Sequence, residues 1–232
     1  MRFHLLGLLA LTLGACGGAE PPRSASAATG AAPDAPDASP AEPTFAAAMV
    51  SPLTKETPLQ IVSVFAYEAN ETLIGPATEL LGFIARPRTE SAFGKEPLRT
   101  LLLDPAPASV KARRLLYVAL GPRGDFSLER VKAVGATAMR ETIRLGVDHM
   151  AFAPIARDQG VTSLTPDDVA AAFVEAALVE YQVERRGMPD KPILLQDVTY
   201  EAGPPFIAAV TQAVVQGVAA AHTRVRESVP PR

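Results

Sequence analysis

The residue with the plainest chemistry is Cys16, the only cysteine among 232 residues. It closes the tetrapeptide Leu13-Gly14-Ala15-Cys16 behind an apolar run over residues 5–13, with Arg2 ahead of the run. A positive start, an apolar stretch too short to span a bilayer and small residues at the cut are what export processing requires. The pattern predicts cleavage between Ala15 and Cys16 and acylation of the Cys16 thiol. One or more acyl chains there would hold the exported protein at a membrane without a spanning helix. A single thiol also excludes an intramolecular disulfide, so the fold must rest on its apolar core.

The remaining reactive side chains do not assemble into a catalytic pattern. His149 and His222 are far apart and lack a Cys partner or a His-Glu helical motif, which argues against a zinc site; His4 falls in the segment to be removed. No metal ligand set and no cofactor is called for. Ser51, Ser63, Ser91, Ser109 and Ser127 occur without a G-x-S-x-G elbow, so a serine nucleophile would lack its strained turn and oxyanion donors. Asp167 and Asp168 suit the first turn of a helix, and Glu175, Glu180, Glu184, Arg140 and Arg144 suit solvated helix faces. No catalytic residue is assigned. The one candidate ligand loop is Gly121-Pro122-Arg123-Gly124-Asp125, between a strand and a helix, where open α/β sheets bind anions. It is not G-x-G-x-x-G, and Pro122 removes a donor, which leaves Gly121, Arg123, Gly124 and Asp125 as a possible anion or nucleotide-like ligand site.

These residues sit on three compositional segments: a signal over 1–15, a lipidated Ala/Pro-rich tether over 16–48, and one domain over 49–232. The tether has Phe45 as its only large apolar residue and reads as disordered, since it cannot bury enough surface to offset the entropy of ordering. The domain is long enough for a proper core. With a net charge of -3 and an isoelectric point near 5.7, the chain offers no basic field for nucleic acid.

Within the domain, short apolar β-branched runs alternate with helical periodicity. Strands are expected over 59–66, 98–103, 114–120, 147–155 and 193–200, the last two strands before 147 each closed by a turn, Asp104-Pro105 and Gly121-Pro122. Helices are expected over 73–85, from an Ser127 cap over 128–145 to Gly146, from Thr165-Pro166 to 185, and from Pro204 or Pro205 to about 225. The last helix carries an apolar face of Ile207, Val210, Val214 and Val218 that could pack on the sheet or dock a partner. Such alternation demands an α/β fold, a three-layer αβα sandwich with a largely parallel sheet.

The run Leu115-Leu116-Tyr117-Val118-Ala119-Leu120-Gly121, followed by a polar turn, Ser127-Leu128-Glu129 and a long Ala-rich helix, resembles the amino-terminal domain of the leucyl (cytosol) aminopeptidase family. The order of elements continues the likeness through the Ala-rich helix ending near Tyr181, Arg185 and Arg186. The resemblance implies a macro-domain-like fold. That family's metal ligands and catalytic groups lie in a carboxy-terminal domain, in a lysine-bearing motif, a Gly-rich Asp-Thr segment and an Asn-Thr-Asp-Ala-Glu-Gly-Arg segment, none of which occurs here, so no catalytic residue carries over. The expectation is a stand-alone, non-catalytic interaction or accessory module of the cell envelope, with an aminopeptidase as a possible protein partner. Gly17 rather than Asp after Cys16 resembles outer-membrane sorting if the host is Gram-negative.

Overall fold

The computed structural model describes residues 42–228. The readings placed on residues 1–41, namely the signal, the Ala15/Cys16 cut and most of the tether, lie outside the described residues.

The two most apolar runs form the centre of the sheet. Strand β2 (Leu59–Phe65) is buried along its whole length, and β4 (Arg114–Gly121) is buried from Leu115 onward. They pair in parallel, with Ile61 opposite Leu116. Strand β5 (His149–Ala153) pairs in parallel with the other side of β2, β6 (Asp197–Glu201) with β5, and β1 (Thr44–Ala48) with β6. Strand β3 (Thr100–Leu103) is the antiparallel edge against β4. The sheet order is β1-β6-β5-β2-β4-β3.

From β2 the chain moves one way to β4, then doubles back past β2 to β5. Right-handed crossovers therefore place the helices on opposite faces. Helices α1 (Pro76–Gly82) and α2 (Ala85–Glu90) lie on one side, where Leu80, Leu81 and Ile84 pack on Val62, Val64 and Tyr117. Helices α3 (Leu128–Leu145), α4 (Pro166–Gly187) and α5 (Ile207–Glu227) form the other layer, over Ile61, Phe152 and Tyr200. This is an α/β fold of a six-stranded, mostly parallel sheet between helix layers. Among the described residues no helix is long and apolar enough to cross a membrane.

Helix ends follow local chemistry. The Ser127 hydroxyl accepts from the Arg130 amide at 3.3 Å, and Gly146 ends α3 in the left-handed conformation at φ 62. Thr165 caps α4 in the same way, with Pro166 at its first turn. Helix α5 turns its apolar stripe inward: Val210, Ala213, Val214, Gly217 and Ala221 are buried.

Several expected boundaries move. Thr44–Ala48, read as tether, is a strand: its amides and carbonyls pair with β6, Phe45 and Ala47 pack on the main core, and the domain begins at least five residues before residue 49. A run of alanines has little strand propensity of its own, so composition could not reveal an element stabilised by its partner. The helix expected over 73–85 is two helices, broken at Phe83 and Ile84, where Ile84 leaves helical geometry at φ -119 and ψ 17. Strand β3 starts at Thr100 because Leu98 adopts a positive φ of 66. Strand β6 starts at Asp197; Ile193 and Leu195 ahead of it are buried but lie outside the ladder.

Candidate functional site

In an open parallel sheet, ligands bind beyond the carboxyl ends of the strands, where the strand order reverses. Here that reversal lies at β2, between β4 and β5. The end of β2 is closed by polar side chains from helix α2 and from the loops that follow β2, β4 and β5. The Phe65 carbonyl accepts from Arg88 Nε at 3.3 Å and Nη2 at 3.1 Å, and the Phe65 amide donates to Gln159 Oε1 at 3.0 Å. Gln159 Nε2 donates to the carbonyls of Ser63 and Ile155, each at 3.1 Å. Gln159 and Arg88 are both buried. The sharing of backbone groups at Phe65 coincides with the register shift between Val64 and Phe65.

Arg123, the cation of the candidate loop, belongs to this network. It donates to Glu71 Oε2 at 2.6 Å and to the carbonyl of Gln159, and its Nε lies 3.5 Å from Glu68. Its guanidinium also lies over the Phe65 ring, 5.8 Å from the centroid. Glu71 in turn holds Arg88 through both oxygens. Arg123 is thus engaged by carboxylates of its own chain. Gly121 stands at φ 78, where a Cβ would lie 2.9 Å from Arg130 Nη1, the group that donates to the Leu120 carbonyl. Gly124 and Asp125 are exposed on a single turn of 3-10 helix.

The open space lies one strand further along. A cavity of about 340 Å3 sits at the carboxyl ends of β5 and β6, between the segment after β1 and the starts of α4 and α5. Its walls include Ile155, Leu164, Val169, Phe206 and Val210, and its polar lining includes Arg157, Asp158, Tyr200 and Glu201. Tyr200 belongs to an aromatic cluster with Phe152 and Phe173, themselves stacked at 3.8 Å. Its hydroxyl is buried without a hydrogen-bond partner, and burial pushes its ionisation well above the usual phenol range.

Glu201 ends β6 with 4% of its surface exposed, and neither carboxyl oxygen has a hydrogen-bond partner. Burial pushes its pKa up to about 8; the Gln60 amide and Lys55 favour the charged form, yet Gln60 does not reach hydrogen-bond geometry with it. Asp158 is likewise raised by burial, with Arg157 opposing. The Arg157 guanidinium lies over the Phe206 ring at 5.2 Å.

The histidines stand elsewhere, each on its own carboxylate. His149 Nδ1 pairs with Asp197 at the amino ends of β5 and β6. His222 on α5 meets Glu42 at 2.7 Å, and Glu42 also accepts from Gln182 at 2.5 Å. Among the described residues no group of three or more His, Cys, Asp or Glu side chains is placed to hold a metal ion.

No family model matches the chain. A probable cytosol aminopeptidase of Roseiflexus castenholzii is 33% identical over 129 residues, which is 55% of this chain and 23% of that protein. Among solved structures, a variant of tomato leucine aminopeptidase superposes with a TM-score of 0.55 at 16% identity, over 74% of this chain and 35% of that one. The bottromycin maturation enzyme BotP gives 0.50 at 20% identity, over 72% and 30%. The domain resembles the amino-terminal domain of cytosol aminopeptidases. The chain spans about a quarter of the length of the curated relative that it matches.

Within this aminopeptidase-like domain, the sequence pointed to Gly121, Arg123, Gly124 and Asp125, and missed the residues that the fold brings together. Glu71 is 17 residues from Arg88 and 52 from Arg123. Gln159 meets β2 across 94 residues. Glu201 alone left a trace, as an acid at the closing position of a strand that ends in a Gly-Pro turn.

Proposed function

We propose that this chain is a lipid-anchored, non-catalytic accessory protein of the cell envelope, whose aminopeptidase-like domain docks on a protein partner, an aminopeptidase being the first candidate. The observation that carries this reading is the extent of the likeness. It covers 55% of this chain and 23% of a cytosol aminopeptidase, in a domain of the amino-terminal type. The Cys16 pattern supplies the anchor, at the outer membrane if the host is Gram-negative. Residues 17–41, rich in Ala, Pro and Ser, supply reach between anchor and domain. The engagement of Arg123 with Glu71 favours docking over anion binding at the 121–125 turn.

The test is fractionation of the host envelope with full-length protein and with Cys16→Ala, followed by co-purification with the host's aminopeptidases. The expected result is an acylated Cys16 in the membrane fraction, loss of that association in Cys16→Ala, and a stoichiometric aminopeptidase complex. Wild-type protein in the soluble fraction would overturn the anchor. Chelator-sensitive cleavage of leucine anilides by the purified protein alone would overturn the non-catalytic reading.

A further inference from the structure

Among the 232 residues there is a single asparagine, Asn70, and it opens the triplet Asn70-Glu71-Thr72. The pattern Asn-x-Ser/Thr, with x other than proline, is the acceptor for N-linked sugar in exported proteins, where it lies in surface loops. Asn70 follows β2 in a turn closed by the Glu71 amide, which donates to the Glu68 carbonyl at 3.1 Å. Asn70 and Thr72 are both exposed, and so is Glu68, two residues ahead of the asparagine.

The fold makes little use of this asparagine. Asparagine is favoured in turns because it tolerates a left-handed backbone and bonds nearby backbone groups through its side chain. Asn70 does neither: among the described residues the one non-glycine residue at positive φ is Leu98, and the Asn70 carboxamide has no hydrogen-bond partner. Its neighbours are engaged. Glu71 is held by Arg88 and Arg123, and Glu68 lies 3.5 Å from Arg123 with its side chain 46% exposed. The middle residue of the triplet thus anchors the loop, while the residues that bear the amide and the hydroxyl remain at the surface.

We propose that Asn70 is a glycosylation site, whose sugar donor is an oligosaccharide carried on a lipid pyrophosphate. Asn70 Nδ2 gives up one proton and bonds to C1 of the first sugar; the C1–O bond to the pyrophosphate breaks, and the lipid pyrophosphate leaves with that electron pair. The Thr72 hydroxyl orients the segment in the transferring enzyme, and Glu68 offers that enzyme a charge to hold. Because Glu71 is pinned between two arginines in the folded domain, transfer precedes the folding of this loop, and the fold then displays the sugar beyond the end of β2. The site rests on the export read from the Cys16 pattern, and is independent of docking on an aminopeptidase.

The test is mass spectrometry of the full-length protein purified from its own host's envelope, with the state of Cys16 read in the same sample. The expected result is a mass increase of whole sugar units confined to the peptide that contains Asn70, lost in Asn70→Gln and in Thr72→Val, and reduced in Glu68→Gln. Asn70→Gln and Thr72→Val alter exposed side chains, so both proteins, made without the sugar, should unfold at the urea midpoint of unglycosylated wild type, which separates loss of the acceptor from loss of the fold. A bare Asn70 on protein acylated at Cys16 would overturn the glycosylation and leave the export reading standing. A bare Asn70 on unacylated protein in the cytoplasm would overturn both. Sugar that persists in Asn70→Gln, or on Asn70 in Thr72→Val, would also overturn the assignment.

Discussion

Glu71 and Arg88 form a bidentate pair, with Nη1 and Nη2 each 2.9 Å from a separate carboxyl oxygen and side chains 8% and 2% exposed, respectively. The pair does more than neutralise two charges. Through Nε and Nη2, Arg88 also supplies donors to the Phe65 carbonyl at the end of β2, a backbone group that the sheet leaves open. Arg123 adds a second cation to the same carboxylate. The place where an open α/β sheet offers a ligand crevice is therefore filled by the protein's own ions.

Removing the shared carboxylate strands a buried guanidinium. Glu71→Ala should destabilise the domain by about 3–5 kcal/mol, because breaking a buried pair leaves an uncompensated charge. Arg123→Ala should cost distinctly less, since Arg88 remains in place and the Arg123 side chain is 16% exposed. Urea unfolding of the two variants checks the order; an equal loss would place the main energy on Arg123 instead.

Glu201 predicts an unusual pH dependence. Its pKa rises from 4.5 to about 8 on folding, so between these values the folded state binds more protons than the unfolded one. Stability contributed by this group is full below about 4.5 and falls as pH rises towards 8. Glu201→Gln should be close to neutral at pH 5 and more stable than wild type at pH 8.5, by an amount on the order of a few kcal/mol. Thermal unfolding of both proteins across this range is the measurement. A difference independent of pH would mean that the carboxyl is solvated in solution.

How far the sequence could reveal these features depends on how local their causes are. Helix α3 was legible at both ends because Ser127 and Gly146 act within one turn. Strands β2 and β4 were legible because burial on both faces makes a near-continuous apolar run. Strand β1 was not, since its ladder is drawn from β6, about 150 residues later, and its alanines carry no period. The site was less legible still. Arg88 and Glu71 sit among ordinary surface-type residues, and only the fold converts them into a buried pair.

Two glycines set the spacing of the helix layer. A Cβ on Gly135 would stand 2.5 Å from the Phe173 carbonyl oxygen, and one on Gly217 would stand 2.7 Å from the Ala171 carbonyl oxygen and 2.9 Å from Val174 Cβ. Both obstacles are on α4, so α3 and α5 each approach it through a glycine. Gly135→Ala and Gly217→Ala should each destabilise by about 1–3 kcal/mol, the cost of overpacking, despite alanine's better helix propensity. Chemical denaturation measures this; a gain in stability would show that the helices separate freely.

Strand β1 gives the last prediction. A domain beginning at residue 49, where composition places the boundary, would lose the parallel ladder from Thr44 to Ala48 and the packing of Phe45. It would also lose Glu42, which holds His222 of α5 and Gln182 of α4 together. The outer edge of β6 would then be an unpaired strand beside an uncovered part of the core, an arrangement that invites edge-to-edge association. A chain starting at residue 42 should be monomeric on dilution and unfold in one transition. A chain starting at 49 should unfold at lower denaturant and self-associate, as sedimentation would report. Equal stability of the two would make β1 an ornament of the sheet, and the domain would then begin where its composition changes.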